Sequence, residues 1–489
     1  MHRETKVLVI GTGFSGLGMA IELKRRGEHD FVVLEKASDL GGTWRDNSYP
    51  GCACDVPSHM YSFSFELNPR WSRMFAEQGE IWDYLQGVAD KYRLRPHIHF
   101  NTKVSGAQWD DETKRWEVTT EQGDTYTAQA LVAGVGALHI PNVPELPGIE
   151  NFSGKAFHSA QWDHDYDLTG KRVAVVGTGA SAIQFVPKIA GKVGSMKIFQ
   201  RTPPWIMPKA DREITHREQK LFRALPFTQR LYRDFVYWVR ESSALGFAIN
   251  PKIMQFAQGI ALKHMKKQVP DPELRRKLKP DYTMGCKRVL ISNDYYPALG
   301  YPNVDLVTDK ISEVRENSVV DAAGVEHEVD VIIYGTGFHV VDSFDYLDIQ
   351  GKGGVDLAKQ WREKGIETYY GITVSGFPNL FFLLGPNTGL GHNSVVFMIE
   401  SQIRYISQCL QLLEKHRAAE LDVRLEAQQE FNEEIQRKLT KGVWTQGGCK
   451  SWYLDAQGVN RTVWPGFTWR YWMRTKRVRA EDYVLTAAR

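Results

Sequence analysis

Four short apolar runs in this chain end directly in a glycine turn: "KVLVIGTG" (6–13), "LVAGVG" (131–136), "RVAVVGTG" (172–179) and "DVIIYGTG" (330–337). Unbroken apolar runs of this length predict strands buried on both faces, as in parallel sheets. After the first and third turns the period changes. "FSGLGMAIELKRRG" and "ASAIQFVPKIA" gather apolar residues on one helical face. Residues 98–132 instead alternate apolar and polar positions and predict a small β-meander. "GFPNLFFLLGPNTGLGHNS" (376–394) predicts another strand, with a glycine- and asparagine-rich turn before the helix "VVFMIESQIRYISQCLQLLEKH". The pattern is that of an α/β protein with two strand–turn–helix units.

Gly11, Gly13 and Gly16 fit G-x-G-x-x-G. The first glycine makes a tight turn, the second admits a pyrophosphate to the backbone, and the third lets helix and strand pack closely. The next strand, "FVVLEK", ends in Glu35, an acid placed to hydrogen-bond ribose hydroxyls. Gly177, Gly179 and Ala182 repeat the design, and "MKIFQRTPPW" then delivers Arg201. Glu35 stands 24 residues after Gly11, and Arg201 stands 24 after Gly177. An acid at this place repels a 2′-phosphate and an arginine pairs with one. The first site is therefore expected to hold FAD and the second NADPH, with hydride passing between the cofactors. Arg201 taken alone would be an ordinary solvated arginine; the matched spacing argues against that.

The 489 residues predict two or three domains. A net charge of +3 makes no case for nucleic acid or for a membrane. Arg223, Arg230, Arg233, Asp234, Arg240 and Glu241 interrupt the apolar stretches of 219–265, so stable membrane insertion is not expected. The N-terminal residues lack an apolar leader, which points to the cytoplasm. The 14 Trp suit an apolar pocket. Five cysteines make no disulfide framework and no zinc spacing, so reduced thiols and no metal are expected. Cys52 and Cys54 read as packing residues.

Between the two turns lies "FSGKAFHSAQWD" (152–163). Phe152, Gly154, His158, Trp162 and Asp163 match F-x-G-x-x-x-H-x-x-x-W followed by Pro or Asp. With this fingerprint the chain resembles the type I Baeyer–Villiger monooxygenases, in the class B flavin-dependent monooxygenase family, over nearly its whole length. "GGTWRDNSYPGCACDVPSHMYSFSF" (41–65) resembles the family's flavin loop and "MGCKRVLISNDYY" (284–296) its segment with the active-site arginine.

The resemblance implies two Rossmann-like dinucleotide-binding domains with an inserted helical subdomain. Residues 1–145 and 339–489 would form the FAD domain, 146–207 and 282–338 the NADPH domain, and 208–281 the helical insertion. It makes Arg288 the active-site arginine, Asp55 the acid that positions it, and Lys287 a ligand of the NADP 2′-phosphate. Gly42, Thr43, Trp44, Asp55, Val104 and Asn387 would meet FAD. Ser181, Ala182, Gln184, Arg201 and Thr202 would meet NADPH. His158 would couple domain movement to cofactor position, and Trp452 of "SWYLD" would belong to a mobile loop. The implied reaction inserts one oxygen atom of O2 beside the carbonyl of a small apolar ketone, through a C4a-peroxyflavin, and gives an ester or lactone. Arg45 and Asp46 in "TWRDN" depart from the better-known members. The nearest alternative is a flavin-containing monooxygenase acting on nitrogen or sulfur of soft nucleophiles. A disulfide reductase, an NADPH oxidase or a non-enzymatic flavin binder are further ones.

Overall fold

The computed structural model describes residues 2–340, 348–455 and 457–487. Its first large sheet centres on the strand His2–Ile10, which runs parallel to Phe31–Leu34 on one side and Thr125–Ala133 on the other. Thr125–Ala133 forks. Residues 125–128 pair antiparallel with Arg115–Thr120 of the meander, while 131–133 pair parallel with Leu380–Phe382. The meander keeps the expected alternation: Ala107, Trp109, Trp116 and Val118 point inward and are buried.

The second large sheet is parallel throughout. Its spatial order is Val304–Val307, Ser195–Phe199, Arg172–Val176, Val331–Tyr334 and Lys155–His158. Part of the 152–163 segment is thus more than a connector: residues 155–158 form the edge strand of this sheet. The two chain crossovers run side by side, with Asn142 N–H donating to Gly337 O at 2.9 Å and His339 N–H to Ile140 O at 3.0 Å.

Residues 208–281 form helices His216–Ala224, Pro226–Ser242, Met254–Gln268 and Pro272–Leu278. Thr215 and Glu218 start the first with a reciprocal capping box, and Asp271 caps the last. The helix Val395–His416, capped by Ser394, packs against Phe14–Arg25.

One expectation is overturned. Cys286 and Cys449 are joined in a disulfide, whereas cysteine number and spacing predict reduced thiols. The two are 163 residues apart, so no local spacing announces the pair. Cys52, Cys54 and Cys409 are free and buried. Burial pushes the Cys52 thiol up to about 12, which suits a packing residue.

Candidate active site

Both glycine turns leave a helix N-terminus open to an anion. Helix Phe14–Arg25 has no side-chain cap and no acid in its first turn, and the same holds for Ala182–Ile189. At Gly11 φ is +92°, and a Cβ there would stand 2.7 Å from Gly134 O; at Gly16 it would stand 1.8 Å from Gly11 O. The loop of residues 41–65 closes over the first turn, with Gly41 N–H on Thr12 O at 3.1 Å and Gly42 against Gly13. This cradle fits the diphosphate of a dinucleotide. Thr43 is exposed beside it, Trp44 is buried with its indole N–H on Tyr61 Oη at 3.2 Å, and Val104 is buried at the start of the meander.

Glu35 is buried and closely held. Its carboxylate accepts from Thr12 N–H at 3.1 Å, the Thr12 hydroxyl, Ala37 N–H at 2.9 Å and Arg45 Nη1 at 3.0 Å. Arg45 also pairs with Asp46 at 2.7 Å. The departure noted in "TWRDN" therefore stands directly against Glu35.

At the second turn, Gly177 has φ +99° and Gly179 is exposed. Arg201 is exposed just beyond the strand Ser195–Phe199, with Thr202 half-buried after it. Burial and the Arg201 charge both lower Lys287 below the usual lysine range, so these two cations face a common region. Two cations and an uncapped helix fit a phosphate-bearing dinucleotide. Ser181, at the helix N-cap position, and Gln184 are half-buried, and Ala182 is buried. The Gln184 side chain accepts from Tyr49 Oη at 2.9 Å and donates to Ala53 O at 3.0 Å. It ties this helix to the 41–65 loop. Asn387 is buried with φ +58°, and its amide donates to Asn460 O at 3.0 Å and Val463 O at 3.3 Å.

Each defined position of the 152–163 segment has a packing reason. A Cβ on Gly154 would fall 2.4 Å from Asp330 O and 2.5 Å from the Phe152 ring. Trp162 packs on Phe157 and on Phe185 of the second-turn helix, both at 5.3 Å. Asp163 pairs with Lys155 at 2.7 Å. His158 is 1% exposed, its Nδ1 accepts from Ala160 N–H, and its ring meets Phe338 edge-on at the crossover. Burial pushes this imidazole down to about 4, so it is neutral near pH 7.

Arg288 and Asp55 meet as a half-buried ion pair, with Nη2 to Oδ2 at 2.6 Å and Nε to the same oxygen at 3.1 Å. Arg288 Nη1 donates to Leu390 O at 2.9 Å. Burial pushes the Asp55 carboxyl upward, but Arg288 outweighs it and holds it below the usual carboxylate range. The Asp55 charge holds Arg288 above its ordinary value, so it stays cationic.

The sequence reading missed three parts of this site. Arg240, on the insertion helix Pro226–Ser242, donates to Asp55 O at 3.1 Å. Tyr453 is 1% exposed and lies beside Arg288, while its neighbour Trp452 is 43% exposed. Phe247 of the insertion stacks 6.2 Å from both Trp444 and His392, forming an apolar wall against Gly391. "SWYLD" contained a signal for Tyr453; no local pattern marks Arg240 or Phe247.

Two dinucleotide cradles, one backed by an acid and one by cations, define a flavoprotein that draws electrons from NADPH. Residues 4–352 match the model of a family described as flavin-binding monooxygenase-like. A Baeyer–Villiger monooxygenase of Pseudomonas aeruginosa is 53% identical over 99% of this chain and 92% of its own length. A cyclohexanone monooxygenase from Rhodococcus sp. Phi1, solved with NADP+, superposes with a TM-score of 0.88 at 28% identity, covering 100% of both chains. The OTEMO complex with FAD and NADP gives 0.89 at 28% identity over 99% of each chain. The chain belongs to the flavin-binding monooxygenase family and, within it, to the Baeyer–Villiger monooxygenases. It is a flavin monooxygenase with FAD and NADPH as cofactors.

Proposed function

We propose that the chain oxidises a small apolar ketone to an ester or lactone, with Arg288 as its catalytic cation and Asp55 as the residue that positions it. The observation that carries this reading is the Arg288 guanidinium held by Asp55 and Leu390 O. When bound, FAD reduced by NADPH and reoxidised by O2 supplies the oxygen nucleophile. Gly11, Gly13, Gly16, Gly42 and Glu35 would hold FAD; Gly177, Gly179, Arg201 and Lys287 would hold NADPH.

Attack on a ketone carbonyl places negative charge on the substrate oxygen. Arg288 stays cationic and offers donors to that charge without reorganising. Asp55 prevents the guanidinium from swinging away, and Arg240 steadies Asp55 through its carbonyl. Tyr453 covers one side of the guanidinium, and the Phe247–Trp444 wall against Gly391 favours an apolar substrate. Oxygenation of nitrogen or sulfur has no need of a fixed guanidinium, so the pair favours the ketone reading. We place the enzyme in the cytoplasm, where NADPH is regenerated.

The test is product analysis by gas chromatography–mass spectrometry of FAD-loaded enzyme with NADPH, O2 and a panel of linear, cyclic and aryl ketones. Products heavier than their ketones by one oxygen are expected. Turnover of a sulfide and amine panel, with no ketone converted, would replace this reading with the alternative.

A further inference from the structure

The net charge of +3 conceals a division. Residues 208–281 hold 16 Lys and Arg against 8 Asp and Glu, whereas the rest of the chain holds 45 against 50. The surface is more one-sided still. Between residues 217 and 267 eight Lys and Arg are exposed, and Asp234 is the one exposed acid. The same stretch is unusually apolar outside. Of the 21 large apolar side chains exposed among the described residues, 12 lie within 221–260.

On helix Pro226–Ser242, Phe227, Leu231, Phe235 and Trp238 recur at helical spacing and form one ridge. They are 57%, 62%, 64% and 59% exposed. The inward face of this helix is already occupied by Gln229, Arg233, Val236 and Glu241, all buried. Leu245 and Ile249, on the separate helical turn Leu245–Ile249, are exposed too, and Gly246 between them lies against Met254. Arg223 and Arg230 stand beside the first part of this ridge in the chain, Lys252 and Lys263 beside the second. A cavity of about 400 Å³ opens next to Trp238, walled by Phe397, Trp469 and Trp472.

A contiguous apolar patch rimmed by charge marks an interaction surface. A second copy is a poor occupant, because a two-fold interface would set the cationic rim of one copy against that of the other. An anionic lipid surface complements both features: the ridge enters the headgroup boundary and the cations meet the headgroups.

We propose that residues 217–267 dock the enzyme on the surface of an anionic lipid bilayer, with the Phe227–Trp238 ridge in the interface plane. The docking is peripheral, since no helix among the described residues is long and apolar enough to cross a membrane. It is independent of the ketone reading, because binding is measured without substrate.

The test floats purified FAD-loaded enzyme with vesicles of phosphatidylcholine alone, or of an equal mixture with phosphatidylglycerol. The enzyme is expected to rise with the mixed vesicles at low salt, to stay behind with the neutral ones, and to be released as salt increases. Phe235→Ser with Trp238→Ser should weaken binding about tenfold through lost apolar contact. Arg230→Glu with Lys263→Glu should weaken it through charge. All four side chains are exposed, and NADPH-driven flavin reduction verifies that both variants are folded. No flotation with the mixed vesicles, or binding unchanged in both double variants, overturns the proposal. So does a dimer in solution that Phe235→Ser with Trp238→Ser abolishes, because the ridge then belongs to a second copy.

Discussion

Asp55 Oδ2 accepts twice from Arg288, from Nη2 at 2.6 Å and from Nε at 3.1 Å, across 233 residues of chain. Leu390 O takes Nη1 at 2.9 Å, so the guanidinium is held on two sides by groups distant in sequence. Such a cation costs little reorganisation at the moment charge develops.

Arg288→Ala is expected to keep NADPH-driven flavin reduction and to lose ester formation by ~10²–10³. Asp55→Asn keeps the shape but not the charge and is expected to lose less, about tenfold. Stopped-flow reduction and product yield separate the two steps. Ester formation by Arg288→Ala at the wild-type rate would remove this arginine from the chemistry. Because Arg288 holds Asp55 below the usual carboxylate range, the pair is intact above that range and is lost only as pH falls through the lowered value.

Arg201 and Lys287 face one region at the second turn, close enough for their charges to interact. Arg201→Ala is expected to raise KM for NADPH about 10- to 100-fold, the loss of one charge-assisted contact, and to leave KM for NADH nearly unchanged. A parallel rise for both nucleotides would show that Arg201 does not read the 2′-phosphate.

His158 connects burial to acid stability. Burial pushes it down to about 4, whereas the unfolded chain takes up a proton near the ordinary value of about 6.5. Between these values the unfolded state binds more protons, so stability rises with pH. The contribution is complete above about pH 6.5 and is lost toward pH 4. His158→Gln should therefore lose about 2 kcal/mol less than wild type between pH 7 and pH 5, measured by urea unfolding. Equal pH dependence in both proteins would contradict the assignment.

The Cys286–Cys449 bridge ties the chain two residues before Arg288 to the chain three residues before Trp452. Opening it should cost about 2–4 kcal/mol and lower Tm under a thiol reductant. Cys449→Ser should show the lower Tm with or without reductant. A wild-type Tm indifferent to reductant would mean that the two thiols are not joined in solution.

Part of the candidate site is legible in the sequence because its signals are local. Gly11, Gly13, Gly16 and Glu35 sit on one strand–turn–helix–strand unit, and Gly177, Gly179 and Arg201 on another, so periodicity and spacing reveal them. Gln184 and Asn387 were legible by position but not by partner: Tyr49, Ala53, Asn460 and Val463 hold their side chains. Lys155–His158 carries no strand signal in the sequence because its strand is short and lies at a sheet edge, where four residues carry little alternation.

By itself the sequence determined the two nucleotide units, the opposite charges at Glu35 and Arg201, and the meander. Each depends on hydrogen bonds and burial among residues near in the chain. Only the tertiary structure decided that Arg240 reaches Asp55, that Tyr453 lies beside Arg288, and that Cys286 meets Cys449. It alone decided that the insertion turns Phe227, Leu231, Phe235 and Trp238 outward. These outcomes depend on how separate elements pack, and a pattern of neighbours along a chain holds no record of which distant surfaces exclude water together.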